Sequence, residues 1–131
     1  MSHTPAAPAL RHAIHWFEIP VSDMARSQRF YEQLLGVQLR VEHMGPNQLA
    51  VFPYTQPGVG GALMKVDQVT PGQQTPLLYL NAGDHLQTVL DRVASLGGTT
   101  VLPRTELPPG MGCFAHITAP DGQRVGLHAL D

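Results

Sequence analysis

The chain is poor in the residues that staple, ligate or span. One cysteine, Cys113, stands among 131 residues. An intrachain disulfide is therefore impossible, and a structural zinc cluster built on thiolates is excluded. Charged residues make up only 14%, and the net charge is −2 with histidine neutral. No basic run occurs, and phosphate binding needs concentrated positive charge, so nucleic acid is not an expected partner. No run of 18 apolar residues is present, so no membrane span is expected. The opening MSHTPAAPALRH lacks a positive n-region ahead of an apolar run, so it does not read as a signal peptide, and the cytoplasm is the default compartment. TPAAPA has little to pack, and residues 1–12 are expected to form a flexible arm.

What the chain does have is 43% apolar residues, enough for a core, and an internal repeat. Ile14 to Val21 reads as a strand, with Ile14, Trp16 and Glu18 on one face and His15, Phe17 and Ile19 on the other. Ser22 or Asp23 caps the helix that follows. Its stripe is Ser27, Phe30, Tyr31, Leu34 and Leu35, and Gly36 stops it. Strands are expected at Val37–Val41, Gln48–Tyr54 and Ala62–Val66, followed by a polar linker. The pattern then restarts. Leu77–Asn81 reads as a strand, Asp84 and Gln87 resemble a capping box, and a helix runs to the double glycine Gly97-Gly98. Strands follow at Thr99–Leu102, Cys113–Thr118 and Arg124–Leu130. Pro103–Gly112 reads as a loop that can act as a lid, and Pro120-Asp121-Gly122 as a hairpin turn.

Asp23 lies thirteen residues before Gly36, and Asp84 lies thirteen before Gly97. Both halves thus read strand, helix, strand, strand, strand. The expected organisation is a single α+β domain over 13–131: module one at 13–67, a linker at 68–75, and module two at 76–131. A half of this size buries little alone, and two such sheets side by side can enclose a concave face.

FEIPVSDMARSQRFYEQLLG, GGALM, the Asp84 to Gly98 helix and APDGQRVGLHAL together resemble the vicinal oxygen chelate superfamily, which includes glyoxalase I, extradiol dioxygenases and bleomycin-resistance proteins. The resemblance spans Ile14 to Leu130 and implies two βαβββ modules forming a cupped mixed sheet, often in a homodimer. In metal-dependent relatives the ligands come from the first and last strands of each module. Carried onto this chain, those positions hold Trp16, Ala62, Leu77 and Gly126, none of which can donate to a metal. No metal and no other cofactor is therefore expected. The functions the resemblance implies are binding of a small, partly apolar organic molecule or, alternatively, isomerase, epimerase or lyase chemistry. A metal-dependent lactoylglutathione-lyase-like enzyme is the weaker reading.

Within that frame Glu18 is the candidate general base, because a carboxylate in a partly apolar cavity has a raised pKa. The alternative is a structural carboxylate held by backbone or arginine. Tyr79 is placed in module two as Glu18 is in module one, as a donor to the ligand or to Glu18. His116 and His128, on the last two strands, are candidate acid–base groups or ordinary strand residues. A metal cluster of Glu18, His116 and His128 is also conceivable. Trp16, Tyr54, Met64 and Asn81 are candidate ligand contacts, with Trp16 able to stack on a flat molecule. Cys113 has no activating neighbour in sequence and reads as a buried, inert thiol.

Overall fold

A computed structural model describes residues 12–69 and 76–131. The expected arm, up to residue 11, and most of the expected linker, 70–75, lie outside the described residues. Eight strands form one mixed sheet: β1 (Ile14–Val21), β2 (Arg40–Met44), β3 (Asn47–Val51), β4 (Gly60–Lys65), β5 (Leu77–Asn81), β6 (Thr99–Glu106), β7 (Cys113–Thr118) and β8 (Arg124–Ala129). Their order is β2-β3-β4-β1-β5-β8-β7-β6. Each module contributes four strands, with its parallel pair beside the seam, β1 with β4 and β5 with β8. The modules join where β1 and β5 run antiparallel. This is the cupped α+β architecture that the repeat predicts.

Helix α1 (Met24–Leu35) starts as expected. The Asp23 side chain accepts from the Arg26 N–H, and Gly36 closes the helix at φ 67°, a conformation that is cheap without a Cβ. The expected strand at Val37–Val41 instead begins at Arg40. The N–H groups of Gly36 and Val37 bond back to the Glu32 carbonyl, and the Glu32 carboxylate accepts from Leu39 N at 2.8 Å. The chain is therefore tied to the helix end until it enters the sheet. β3 stops at Val51 rather than Tyr54, since Pro53 has no N–H for the ladder.

The second helix is shorter than its pattern suggests. Helix α2 covers only Leu86–Leu90, and a 3₁₀ turn follows at Ala94–Leu96. Arg92, Val93 and Leu96 donate to carbonyls three residues back, so the winding tightens after the first turn. Asp84 is not the cap. His85 holds that position without a side-chain bond to the helix, and the Asp131 carbonyl accepts from Leu86 N at 2.7 Å. The expected lid also shortens, because β6 continues through Pro103 to Glu106. β6 is an edge strand with two register shifts, one before that proline and one spanning it, where the missing donor costs no ladder bond.

Two apolar clusters pack the helices onto the convex face. Val21, Met24, Leu39, Ala50 and Leu63 lie under α1. Leu86, Leu90, Val93, Cys113, Ala115, Leu127 and Ala129 lie under α2. Cys113 is buried there, unpaired. A third cluster, Leu49, Val51 and Ala62 with Trp16, Met44 and Met64, lies on the opposite, concave face. Of the expected α1 stripe, Tyr31 packs on the core, whereas Phe30, Leu34 and Leu35 are exposed. No helix among the described residues is long and apolar enough to cross a membrane.

Candidate functional site

The concave face encloses a cavity of about 620 Å³ whose lining comes from both modules. Strand alternation explains the set: Trp16 and Glu18 on β1, Met64 on β4, Tyr79 on β5, Phe114 and His116 on β7, and His128 on β8. Of the sequence-selected residues, Trp16, Glu18, Tyr54, Met64, Tyr79, His116 and His128 all line this cavity. Asn81 does not. Its amide donates to the His12 carbonyl at 3.0 Å and its oxygen accepts from Gly83 N at 2.9 Å.

Glu18 sits between two donors. Trp16 Nε1 donates to Oε2 at 3.2 Å, and the Tyr79 hydroxyl donates to Oε1 at 3.3 Å. Burial pushes the Glu18 carboxyl above its ordinary pKa, and the bonds from Trp16 and Tyr79 oppose that push. Burial, together with the adjacent Glu18 charge, raises the Tyr79 phenol, which therefore keeps its proton as a donor. Tyr79 Oη also lies 2.8 Å from His116 Nε2. Burial lowers the His116 pKa, and Arg124 adds to the effect.

Gly126 is what allows Tyr79 and His116 to meet. In the sheet it is the partner of Tyr79 on one side and of His116 on the other. A Cβ there would come within 2.4 Å of the Tyr79 ring. With no side chain on β8 at that point, the two side chains close over the strand. The ring centroids of Tyr79, Phe114 and His116 lie 5.5–6.1 Å apart and pack as a cluster.

The alternation of β1 places His15 on the convex side, yet His15 lines the cup. A register shift between Ile14 and Trp16 turns it inward. Nothing in the residue pattern signals that bulge. His15 Nδ1 lies 2.9 Å from His128 Nδ1, and His128 Nε2 lies 2.7 Å from the Met111 carbonyl. A carbonyl only accepts, so His128 carries its proton on Nε2. In the neutral pair His15 then donates through Nδ1, leaving its own Nε2 as an acceptor. The bond to Met111 holds the loop at 107–112 against the cup, where Leu107, Gly110 and Met111 join the lining. Burial lowers the His15 pKa, with His128 and His12 adding to it.

The other wall is apolar. Leu49 and Val51 are buried beside Met44 and Met64, and Tyr54 packs edge-on against Trp16 at 6.1 Å. Arg40, bonded to Glu42 at 2.6 Å, lies at the rim.

The residues present do not fit the metal centre of the fold family. Trp16, Ala62, Leu77 and Gly126 offer no donor, and the Tyr79 ring fills the space into which a side chain at 126 would project. Glu18 and His116 are bridged by Tyr79 rather than converging on a common point. Both ring nitrogens of His128 have partners. Among the described residues no group of three or more His, Cys, Asp or Glu is arranged to hold an ion.

The model of the Glyoxalase/Bleomycin resistance protein/Dioxygenase superfamily matches residues 13–127. No curated protein sequence matches the chain. Among solved structures, methylmalonyl-CoA epimerase from Mycobacterium tuberculosis aligns with a TM-score of 0.63 and 16% identity, covering 98% of this chain and 96% of that one. A variant methylmalonyl-CoA epimerase from Streptomyces coelicolor, in complex with 2-nitronate-propionyl-CoA, gives 0.60 and 14%, covering 89% and 93%. A Legionella pneumophila structure described as NAD-dependent benzaldehyde dehydrogenase gives 0.53 and 18%, covering 88% and 98%. At these identities the likeness shows the fold alone.

Proposed function

The chain belongs to the Glyoxalase/Bleomycin resistance protein/Dioxygenase superfamily, and from that premise we propose that its cup binds a small, partly apolar organic molecule and exchanges a proton with it through Glu18. The observation that carries this reading is the position of the Glu18 carboxylate. It lines the cavity, held by Trp16 and Tyr79, and its pKa is raised by burial. A carboxylate partly deprived of water is a stronger base than one in solvent, and fixed donors on both oxygens orient it. The chemistry it suits is removal of a proton from carbon next to a carbonyl, followed by return of the proton to the same or a neighbouring carbon. That step covers epimerisation, isomerisation and the first half of an elimination. The epimerase structures that share the fold make such chemistry a reasonable use of it, without naming a substrate.

The test is deuterium exchange. Ketones and thioesters carrying one aromatic or branched group are incubated with the protein in D₂O, and loss of the α-proton signal is followed by NMR. Wild type should wash deuterium into the compounds that bind. Glu18→Gln should still bind them but exchange about 10²–10⁴-fold more slowly, the range that general base catalysis supplies. Exchange unchanged in Glu18→Gln would overturn the assignment.

A second reading, binding without turnover, is favoured by the apolar wall of Leu49, Val51 and Met64 and by the Trp16–Tyr54 pair, which suit a flat hydrophobic ligand. It predicts tight binding by both proteins and no wash-in by either.

A further inference from the structure

We propose that Glu18, Tyr79 and His116 form one proton wire, through which the buried carboxylate exchanges its proton with the far ring nitrogen of His116. The inference rests on Glu18 being the base of the cup, and it adds how that base is reloaded.

The argument follows from counting hydrogens. Tyr79 Oη lies 3.3 Å from Glu18 Oε1 and 2.8 Å from His116 Nε2, and it has one proton to give. When Glu18 is ionised, its oxygens can only accept, so the phenol donates to Oε1. His116 must then donate to the phenol oxygen through Nε2–H, which leaves Nδ1 as a lone pair. When a proton arrives at Nδ1, the Nε2 proton passes to Tyr79 Oη and the phenol proton passes to Glu18 Oε1. At the end Glu18 is a carboxylic acid donating to Tyr79, Tyr79 donates to Nε2, and His116 is again neutral with its proton on Nδ1. Two hydrogens have shifted, one has entered, and no atom is left over or short. The reverse shift empties Glu18 for the next abstraction.

The sequence supports this geometry through Gly126, the shared sheet partner of Tyr79 and His116. Any side chain there would stand where the phenol ring crosses the strand. Gly126 is therefore a positioning residue for the wire. The raised carboxyl and the lowered imidazole both favour the form with the proton on Glu18 over a carboxylate–imidazolium pair. The other titratable or charged groups around the wire are His15, His128, Arg40 and Glu42 in the cup, and Arg124 beside His116.

The experiment reads the wire without any ligand. The full chain, labelled with ¹⁵N at histidine and ¹³C at the glutamate carboxyl, is titrated by NMR. In wild type, Glu18 protonation should coincide with a tautomer exchange at His116. Nδ1 changes from pyridine-type to pyrrole-type and Nε2 does the reverse, with one midpoint and no imidazolium pattern. In Tyr79→Phe, which keeps the ring, the two groups should titrate separately, with the Glu18 midpoint moved up by about one pH unit as its donor is lost. His116→Gln is a second cut, and should move the Glu18 midpoint while leaving the amide spectrum folded. A His116 that keeps one tautomer while Glu18 protonates overturns the wire, as does a tautomer exchange that survives in Tyr79→Phe. The base and the wire fail separately. Wash-in lost in Glu18→Gln with no tautomer exchange retains the base and removes the wire, whereas a coupled exchange with wash-in intact does the opposite.

Discussion

The two modules share a frame and differ in what they put on it. In both, the first strand runs parallel to the last, and the registers superimpose: Glu18 faces Ala62 in module one, as Tyr79 faces Gly126 in module two. Trp16 and Tyr79 also pair with each other where the modules meet. The same seam pairs Glu18 with Leu77, so Glu18 is the counterpart of Tyr79, and Trp16 that of Leu77. The linings then diverge. Module one presents Leu49, Val51 and Met64, whereas module two presents Tyr79, His116 and His128. The frame fixes where side chains point, and which of them carry chemistry is chosen module by module. Glu18 stands at the seam, on the apolar module, and meets its polar partner across it. Asn81, two residues beyond Tyr79 on β5, holds backbone instead.

The comparison can be broken at several strengths. The largest effect comes from the cores. Leu63 under α1 and Leu86 in α2 are both fully buried, and each truncation to alanine should cost about 2–5 kcal/mol. Because β1 and β5 are paired in one continuous sheet, both variants should lower a single unfolding transition. Two transitions in calorimetry, each moved by only one variant, would show the modules to be separate units. The glycines come next. Gly126→Ala meets the buried Tyr79 ring and should cost about 1–3 kcal/mol, the usual range for overpacking. Gly60→Ala meets the ring of Tyr54, which is 44% exposed and free to swing, so its loss in chemical denaturation should be clearly smaller. Equal losses would remove this difference between the modules. The caps follow. Asp23→Ala should cost about 1 kcal/mol, since a real cap bond is lost. Asp84→Ala should stay within about 0.5 kcal/mol, because α2 starts at His85 without a side-chain cap.

The caps also show what was legible in the sequence. The bounds of the first helix read well because their signals are local: a cap at Asp23 and a stop at Gly36. β1, β5 and β7 emerge with their expected bounds for the same reason. Module two reads less well because distant atoms decide it. The Asp131 carbonyl, not Asp84, meets the start of α2, and β6 runs through a proline because it lies at the sheet edge. In the cup, strand parity finds Glu18, Tyr79, His116 and His128. It misses His15, because a one-residue bulge reverses parity without any residue type to mark it. It includes Asn81, which lies on the right strand but has its amide engaged by the neighbouring loop. The role of Gly126 is visible only once the register places it between Tyr79 and His116.

The smallest effect is also the one that sets the two walls against each other by pH. Glu18 has a folded pKa raised above the ordinary 4.5, chiefly by burial. Between those two values the native chain holds more protons than the unfolded chain, so stability falls as pH rises through that window, and the deficit persists above it. His116 has a folded pKa lowered from the ordinary 6.5, again chiefly by burial. Below 6.5 the unfolded chain takes its proton first, so this group lowers stability as pH falls. Glu18→Gln should therefore match wild type in acid and become the more stable protein as pH rises past the carboxyl window. His116→Gln should gain on wild type in the opposite direction, below 6.5. Urea denaturation at a series of pH values separates the two slopes. If Glu18→Gln is instead the less stable protein at neutral pH, the Trp16 and Tyr79 donors hold the carboxylate more strongly than burial disfavours it. Glu18 would then be a structural anion of the seam rather than a base waiting in the cup.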